Sequence, residues 1–131
     1  MPVAVRSTGT ERFELKTLEG AFVTLRKMSY GQILTRRAMM KLTFQTQGKN
    51  KSVEGEIAMA NKKVNLYEFQ TCVVEHNLER ESGQLLNLSD PNDVEMLDPK
   101  VGQEIEQYMN QLNNFEDEDS GEEDPGNSPS E

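Results

Sequence analysis

The residues of this chain whose types could support catalysis are one histidine and one cysteine. His76 could act as a general base beside Glu75 or Asn77. Cys72 lies one helical turn away and would need a base held next to it to become a nucleophile. A half-buried structural histidine and a small core cysteine are the simpler interpretations, because both residue types are often found inside proteins. We therefore predict no catalytic residues and no enzyme activity.

The acidic segment that begins at Glu116 is the densest group of candidate metal ligands. A calcium loop of the EF-hand type needs glycine at its sixth position and a bidentate glutamate at its twelfth. If Gly121 takes the sixth position, the twelfth is Asn127, so the pattern fails. The chain also has no glycine-rich phosphate loop and no dinucleotide fingerprint. We predict no metal, no cofactor and a solvated, disordered acidic tail over residues 116–131.

Composition limits the class of protein. The chain of 131 residues is long enough for one domain with a modest core. Its single cysteine excludes a disulfide within the chain, and no apolar run approaches the ~20 residues that cross a bilayer. We therefore expect a soluble protein of a reducing cytoplasm that has no membrane partner.

Charge is unevenly distributed along the chain, whose net charge is -9. Residues 1–63 hold twelve Lys/Arg against five Asp/Glu, whereas residues 64–131 hold two against eighteen. Because the acidic half repels phosphate backbones, we do not expect nucleic acid as a partner.

The stretch "ERFELKTLEGAFVTLRKM", residues 11–28, has the alternation of a β-hairpin. Apolar residues alternate with charged or polar ones on both sides of a Glu19-Gly20 turn: Phe13, Leu15, Val23 and Leu25. An isolated hairpin is only marginally stable, so we expect it to pack against helices.

The clearest helix start in the sequence is at Ser29. This residue is a good N-cap, and Gln32 completes a capping box with it. Met28 and Ile33 have the spacing of a hydrophobic staple.

This first helix is predicted to have two contrasting faces. The predicted apolar face consists of Ile33, Leu34, Ala38 and Leu42, with Met39 or Met40 alongside. The opposite, exposed face is predicted to be basic and consists of Arg36, Arg37 and Lys41. Together with Arg26 and Lys27, these residues form a solvated surface, a site for the chain's own acidic tail, or a binding surface for nucleic acid or an acidic helix.

The middle of the chain has weaker signals. Residues 45–63 are predicted to be a mobile loop, with or without a short ordered piece, because two glycines and many polar side chains surround a short "IAMA" island. A second helix is predicted to begin near Asn65, with one face formed by Leu66, Phe69, Cys72 and Val73. The end of this helix is ambiguous, because the following segment could also turn back as a hairpin through residues 81–83.

Two Asp-Pro pairs, at residues 90–91 and 98–99, each predict a helix start. Aspartate caps the helix, and proline is tolerated at the first helical position. The helix after Pro99 has an apolar stripe that ends at Phe115 and consists of Val101, Ile105, Tyr108 and Leu112, with Met109 alongside. Such a one-sided stripe more often faces the core than a partner.

Together these elements predict an α+β, mainly helical fold. The N-terminal β-hairpin packs on a small set of amphipathic helices within a single domain over residues 1–115, of which residues 1–10 are flexible. A disordered acidic C-terminal tail follows.

Three segments resemble the tail assembly chaperones of long-tailed, siphovirus-like bacteriophages. They are "VTLRKMSYGQILTRR", "YEFQTCVVEHNLERESGQLLNL" and "LDPKVGQEIEQYMNQLNNFEDE". The first is similar to the family's strand that runs into a Ser-Tyr-Gly helix start. The third is similar to its Leu-Asp-Pro helix with an Asn-Asn-Phe and acidic ending. The resemblance covers roughly residues 13–118, and none of its motifs is catalytic.

The resemblance implies an assembly factor of the host cytoplasm. Such a protein binds the tape measure protein and keeps it soluble during tail tube polymerisation, and it is absent from the mature virion. The tail tube protein is a second candidate partner, and a homo-oligomer is also expected. Family members are often made in two lengths by ribosomal frameshifting, so the segment "GEEDPGNSPSE" would be the unshifted ending of the shorter product.

The candidate partner-binding residues come from the basic face of the first helix and from the C-terminal stripe: Arg36, Arg37, Met40, Tyr108, Met109 and Leu112. Two other functions remain open. One is a structural minor tail or head-tail connector protein, which would stay in the virion. The other is an acidic regulator that binds a basic host protein in a salt-sensitive manner.

Overall fold

Helices dominate the part of the chain that the computed structural model describes, which is residues 2–6, 8–46 and 53–115. Within these ranges the elements are, in chain order, β1 (Glu11–Glu14), β2 (Phe22–Leu25), α1 (Tyr30–Thr46), α2 (Val53–Cys72), β3 (Val73–His76), α3 (Pro91–Glu95) and α4 (Pro99–Asn113). The predicted α+β, mainly helical class is confirmed. The predicted acidic tail, residues 116–131, lies outside the described residues.

The strands form one antiparallel sheet in the order β1-β2-β3. β1 and β2 are the predicted hairpin, with Phe13 opposite Val23. Gly20 makes the turn with a φ of 83°, a left-handed conformation that favours glycine. β3 pairs with the other edge of β2, and the register shifts between Thr24 and Leu25. An extended segment here was one of two predicted alternatives for the end of the second helix, but its pairing with β2 was not predicted.

The core lies where the sheet meets α2 and α4. Its fully buried side chains come from β2, the end of α2 and α4: Val23, Leu25, Cys72, Ile105 and Met109. Phe69, Leu78, Leu88, Val101 and Phe115 extend the same cluster. The C-terminal stripe therefore faces the core, as predicted.

Helix α1 begins with the predicted capping box. The backbone N–H of Gln32 donates to Ser29 Oγ at 3.2 Å, and the N–H of Ser29 donates to Gln32 Oε1 at 2.9 Å. The staple residue Met28 is buried, and Ile33 packs against the core. Arg6, in the segment predicted to be flexible, also donates to Gln32 Oε1 at 2.9 Å.

Both Asp-Pro pairs start helices, as predicted. The Oδ1 atom of Asp90 accepts from Asn92 N at 3.0 Å, and that of Asp98 accepts from Lys100 N at 2.9 Å. α4 ends at Asn113, and its C-cap is Asn114, whose φ of 58° is left-handed and whose N–H donates to Asn110 O at 2.7 Å. The turn at residues 81–83 is also present, since Glu79 forms a β-bridge with Leu85.

The mobile loop predicted over residues 45–63 is wrong for its described part. α1 continues to Thr46 and α2 begins at Val53, while residues 47–52 lie outside the described residues. Asn65 consequently lies inside α2 and does not cap it. The prediction gave too much weight to glycine and polar side chains, whereas the Ala, Met, Glu and Lys of this segment are strong helix formers. α2 also packs against α1, which adds tertiary support to both helices.

The described helices were also compared with the requirements of a membrane span. Within residues 2–6, 8–46 and 53–115, none combines the length and the apolar character needed to cross a bilayer.

Candidate partner-binding surface

Arg36 does not lie on an exposed basic face, contrary to the prediction. Its side chain is 6% exposed, and its Nε donates to Glu68 Oε2 at 2.7 Å. The ring of Phe115 covers the guanidinium at 4.0 Å. The prediction failed because burial of an arginine depends on a carboxylate from another helix, which the local pattern does not reveal.

Three of the other candidate residues belong to the core or pack against it, and two are half-buried. Met109 is fully buried, and Tyr108 and Leu112 pack against the core cluster. Arg37 and Met40 are half-buried. The predicted exposed basic face is therefore wrong for Arg36. A role of the six candidate residues as partner contacts stays a prediction.

The exposed side of α1 is instead formed by residues predicted to be apolar or left out of the prediction. Tyr30 is 71% exposed and Leu34 is 43% exposed, and Ala38, one turn further along the helix, is exposed too. The side chain of Leu42 lies outside the described part of the chain. The helix is thus rotated relative to the prediction: Arg36 points inward, and Leu34 and Ala38 point outward.

Two small residues complete this surface. Gly31 and Thr35 are exposed, and they lie beside Tyr30 and Leu34 on the helix. Thr35 Oγ1 donates to the carbonyl of Gly31 at 3.1 Å, so its hydroxyl is turned back onto the helix. We define the outer face of α1 as Tyr30, Gly31, Leu34, Thr35 and Ala38. It is an apolar surface with two large side chains and a shallow depression.

Two exposed lysines lie near the two ends of the outer face of α1. Lys27 precedes the helix and Lys41 lies one turn beyond Ala38, and both are exposed. The sequence has no Asp or Glu between Glu19 and Glu54. This absence of acidic residues was the signal in the sequence that could have revealed the surface, whereas the prediction relied only on the basic residues.

The carboxylate of Glu104 accepts more hydrogen bonds than any other described carboxylate of α4. Its oxygens accept from Lys16 N at 2.7 Å, Thr17 N at 2.9 Å, Thr17 Oγ1 at 2.7 Å and Tyr108 OH at 2.6 Å. Burial alone would raise the pKa of Glu104, but these hydrogen bonds together lower it to about 2. The group is an ionised anchor that ties α4 to the segment after β1.

Asp93 plays a similar part for the segment that precedes α3. The backbone N–H of Asn87 donates to Asp93 Oδ2 at 2.8 Å, and Arg80 Nη2 donates to Oδ1 at 2.6 Å. The hydrogen bond from Asn87 and the contact with Arg80 lower the pKa of Asp93 despite its burial. Both carboxylates are explained by the fold.

The histidine and the cysteine occupy structural positions. Burial raises the pKa of the Cys72 thiol to about 11, which is opposite to the activation of a nucleophile. His76 Nδ1 accepts from the N–H of Leu78 at 3.0 Å, and burial lowers the pKa of this imidazole. His76 thus holds the chain where it leaves β3.

A polar groove of about 430 Å³ lies between α2 and α4. Its lining includes the amides of Asn65, Gln103, Gln107 and Asn110. Glu106 also lines it, and burial raises the pKa of that carboxyl. Across residues 2–6, 8–46 and 53–115, no three His, Cys, Asp or Glu side chains are grouped so that they could hold a metal ion.

Comparison with protein-family models, with curated proteins and with solved structures gives no match for this chain. The features that bear on function are the outer face of α1, the two lysines near its ends and the resemblance of three sequence segments.

Proposed function

We propose that this protein is a tail assembly chaperone of a long-tailed bacteriophage. It binds the tape measure protein in the host cytoplasm, keeps it soluble while the tail tube polymerises, and is absent from the mature virion. The observation that carries the proposal is the outer face of α1, an apolar helix surface that is exposed to solvent. The resemblance of the three segments supports the identity of the client.

The physics of this surface suits a client made of long amphipathic helices. Two helices pack when side-chain ridges of one enter the grooves of the other. Tyr30 and Leu34, four residues apart, form one such ridge on the outer face of α1, beside a depression at Gly31. Full burial of one such side chain is worth about 1.5–3 kcal/mol. A contact made by two such side chains is weak enough to be released when tube subunits bind the client instead.

The proposal includes the tail tube protein as a second partner and a homo-oligomeric form of the chaperone. It also includes a longer product of ribosomal frameshifting near the end of the reading frame. The half-buried residues Arg37, Met40, Tyr108 and Leu112 remain proposed secondary contacts.

Co-expression with the longest neighbouring open reading frame tests the function. We expect that product to be insoluble alone, and to become soluble and to co-purify when the tagged protein is present. A folded protein of similar size and net charge serves as the control. If the neighbour stays insoluble beside a folded chaperone, the proposal is wrong.

Purified virions separate this function from its structural alternative. A chaperone is absent from them, whereas a minor tail or head-tail connector protein is present at a fixed copy number. The charge distribution favours one further candidate, because residues 64–131 hold eighteen acidic residues against two basic ones. An acidic regulator would retain a basic host protein on an affinity column at low salt and release it at about 0.5 M salt.

A further inference from the structure

We propose that the outer face of α1 binds one amphipathic helix of another protein, and that Asp and Glu residues flank the apolar stripe of that helix. The inference rests on the proposed function only for the name of the partner, which would be the tape measure protein. The chemistry of the partner helix follows from the shape and the charge of the outer face of α1.

The shape of the outer face of α1 is set first by Gly31, which has no side chain. A Cβ atom added at this position would meet nothing within 4 Å, and the backbone there is not left-handed. The fold therefore does not need glycine at this position, the second residue of α1. A close approach by the backbone of a second helix explains the missing side chain. Thr35 and Ala38, which are also small, continue the depression along α1.

The side chains beside the depression give the partner its apolar contacts. Tyr30 and Leu34 stand one turn apart and are 71% and 43% exposed. In a ridge-and-groove contact, both would enter gaps between apolar side chains of the partner helix. The partner must therefore present a narrow apolar stripe, as amphipathic helices do.

Charge gives the second argument, and it selects the flanks of the partner. The exposed lysines Lys27 and Lys41 lie beyond the two ends of the outer face. No carboxylate occurs in the sequence between Glu19 and Glu54, so none within this segment offsets them. The nearby Arg36 is already paired with Glu68 inside the fold. A helix with acidic flanks would gain favourable charge contacts at both ends, and a basic one would be repelled.

A second copy of this chain fits the surface less well. In a symmetric antiparallel pair of outer faces, the end of the face near Lys27 in one copy would meet the end near Lys41 in the other. Like charges would meet at both ends of the contact. An anionic membrane would also attract the lysines. However, membrane binding scales with buried apolar area, and two large side chains offer little of it.

The test uses two synthetic helical peptides with the same Leu/Ala stripe, one flanked by Glu and the other by Lys. Each is titrated into the full-length protein by fluorescence anisotropy at about 50 and 150 mM salt. We expect the Glu-flanked peptide to bind at least about tenfold more tightly, and salt to weaken it. Amide NMR shifts caused by this peptide should fall within residues 27–41.

Four variants assign the contact to the outer face of α1. Leu34→Ser and Gly31→Leu should each weaken the Glu-flanked peptide by about tenfold or more. The matched control is Leu85→Ser, because Leu85 is 55% exposed elsewhere on the molecule and should leave binding unchanged. The double variant Lys27→Glu/Lys41→Glu should reverse the preference between the two peptides. All the positions changed are exposed, so thermal melts should confirm that each variant folds.

Several results would overturn the inference. These are equal binding of the two peptides, or a loss of binding in Leu85→Ser instead of Leu34→Ser. A dimer in light scattering that Leu34→Ser dissolves would assign the surface to a second copy. Sedimentation with phosphatidylserine vesicles that Leu34→Ser abolishes would assign it to lipid. Movement of the α1 amide signals on deletion of residues 116–131 would assign it to the acidic segment of the chain itself.

The inference and the proposed function can fail separately. If the wild-type protein solubilises the neighbouring gene product and Leu34→Ser does so equally well, the function stands and the inference fails. If the wild-type protein binds the Glu-flanked peptide through α1 but does not solubilise that product, the inference stands and the function fails.

Discussion

The Nε atom of Arg36 lies 2.7 Å from Oε2 of Glu68, and only 6% and 7% of the two side chains are exposed. This ion pair joins α1 to α2, and the Phe115 ring packs over the guanidinium beyond the end of α4. Arg36 thus connects α1 with α2 and with the segment that follows α4. It also fixes the rotation of α1, and so decides that Tyr30 and Leu34 face outward.

Removal of one partner of this pair should be strongly destabilising. We expect Glu68→Leu to lower the free energy of unfolding by about 3–5 kcal/mol, because it removes a carboxylate that is hydrogen-bonded to the buried guanidinium of Arg36. Urea unfolding monitored by circular dichroism measures the change. The matched control is Glu95→Leu, since the Lys62–Glu95 pair is about 45% exposed and surface pairs are worth about 0–1 kcal/mol.

The double variant Arg36→Met/Glu68→Leu separates the charge effect from packing. We expect it to recover most of the stability lost in Glu68→Leu, because an apolar pair of similar volume has no charge to desolvate. If the double variant were less stable than Glu68→Leu, the loss of the Arg36–Glu68 ion pair would not be the cause of the destabilisation.

Glu104 should make stability depend on pH in the acid range. Its pKa is about 2 in the folded protein against an ordinary value of 4.5, so the unfolded state binds the proton more readily. The stabilisation is therefore present above about pH 4.5 and is lost as the pH falls towards 2. Glu104→Gln should lower the unfolding free energy at pH 7 by on the order of 2–3 kcal/mol, because its amide N–H₂ would face hydrogen-bond donors. Urea unfolding at several pH values should show that this difference shrinks below pH 4.5.

Glu106 provides the matched control on the same helix. Burial raises its pKa, so any stability due to its protonated form is present below pH 4.5 and is lost as the pH rises through the folded pKa. Glu106→Gln resembles that protonated form and should be at least as stable as the wild type at pH 7. Equal losses in the Glu104 and Glu106 variants would contradict the role of the specific hydrogen bonds.

The hydroxyl of Tyr108 should lose its proton at a higher pH than that of an ordinary tyrosine. Its hydroxyl donates to Glu104 at 2.6 Å, and this hydrogen bond, together with burial, raises its pKa to about 12. Absorbance at about 295 nm should show a step near pH 12 that is missing in Tyr108→Phe. The stabilisation from the hydrogen bond is present below the ordinary pKa of 10 and is lost as the pH rises through 12.

The same variant should also be less stable at neutral pH. Tyr108→Phe keeps the ring that stacks on Phe13 at 4.5 Å and loses the hydroxyl, so we expect a loss of about 1.5–3 kcal/mol. In a Glu104→Gln background the loss should be clearly smaller, because the charged acceptor has already gone. Additive losses in the double variant would show that the two groups act independently.

Elements specified by neighbouring residues were predictable from the sequence. The capping box at Ser29 and Gln32, the Asp98 cap and the turn at Gly20 each depend on residues a few positions apart. The stripe of α4 was predictable for the same reason, since helical spacing alone places Ile105 and Met109 on one face.

Features that depend on distant residues were not predictable. Arg36 is buried because Glu68, 32 positions away, supplies its counter-charge, and no local pattern signals that pairing. The third strand forms because β3 pairs with β2, where His76 lies opposite Val23. The outer face of α1 was missed as a consequence, since the rotation of this helix follows from the buried arginine.

Cys72 should be almost unreactive in the folded protein. The side chain is fully buried, and burial raises the pKa of its thiol to about 11, so few molecules hold the thiolate at pH 8. We expect its reaction with Ellman's reagent to be at least about 100-fold slower in native buffer than in urea, where the same thiol is exposed and has an ordinary pKa. The rate in urea is the internal control, because the chain has a single cysteine. A native rate within a few-fold of that control would mean that the end of α2 opens readily, and the core described around Cys72 would then be wrong.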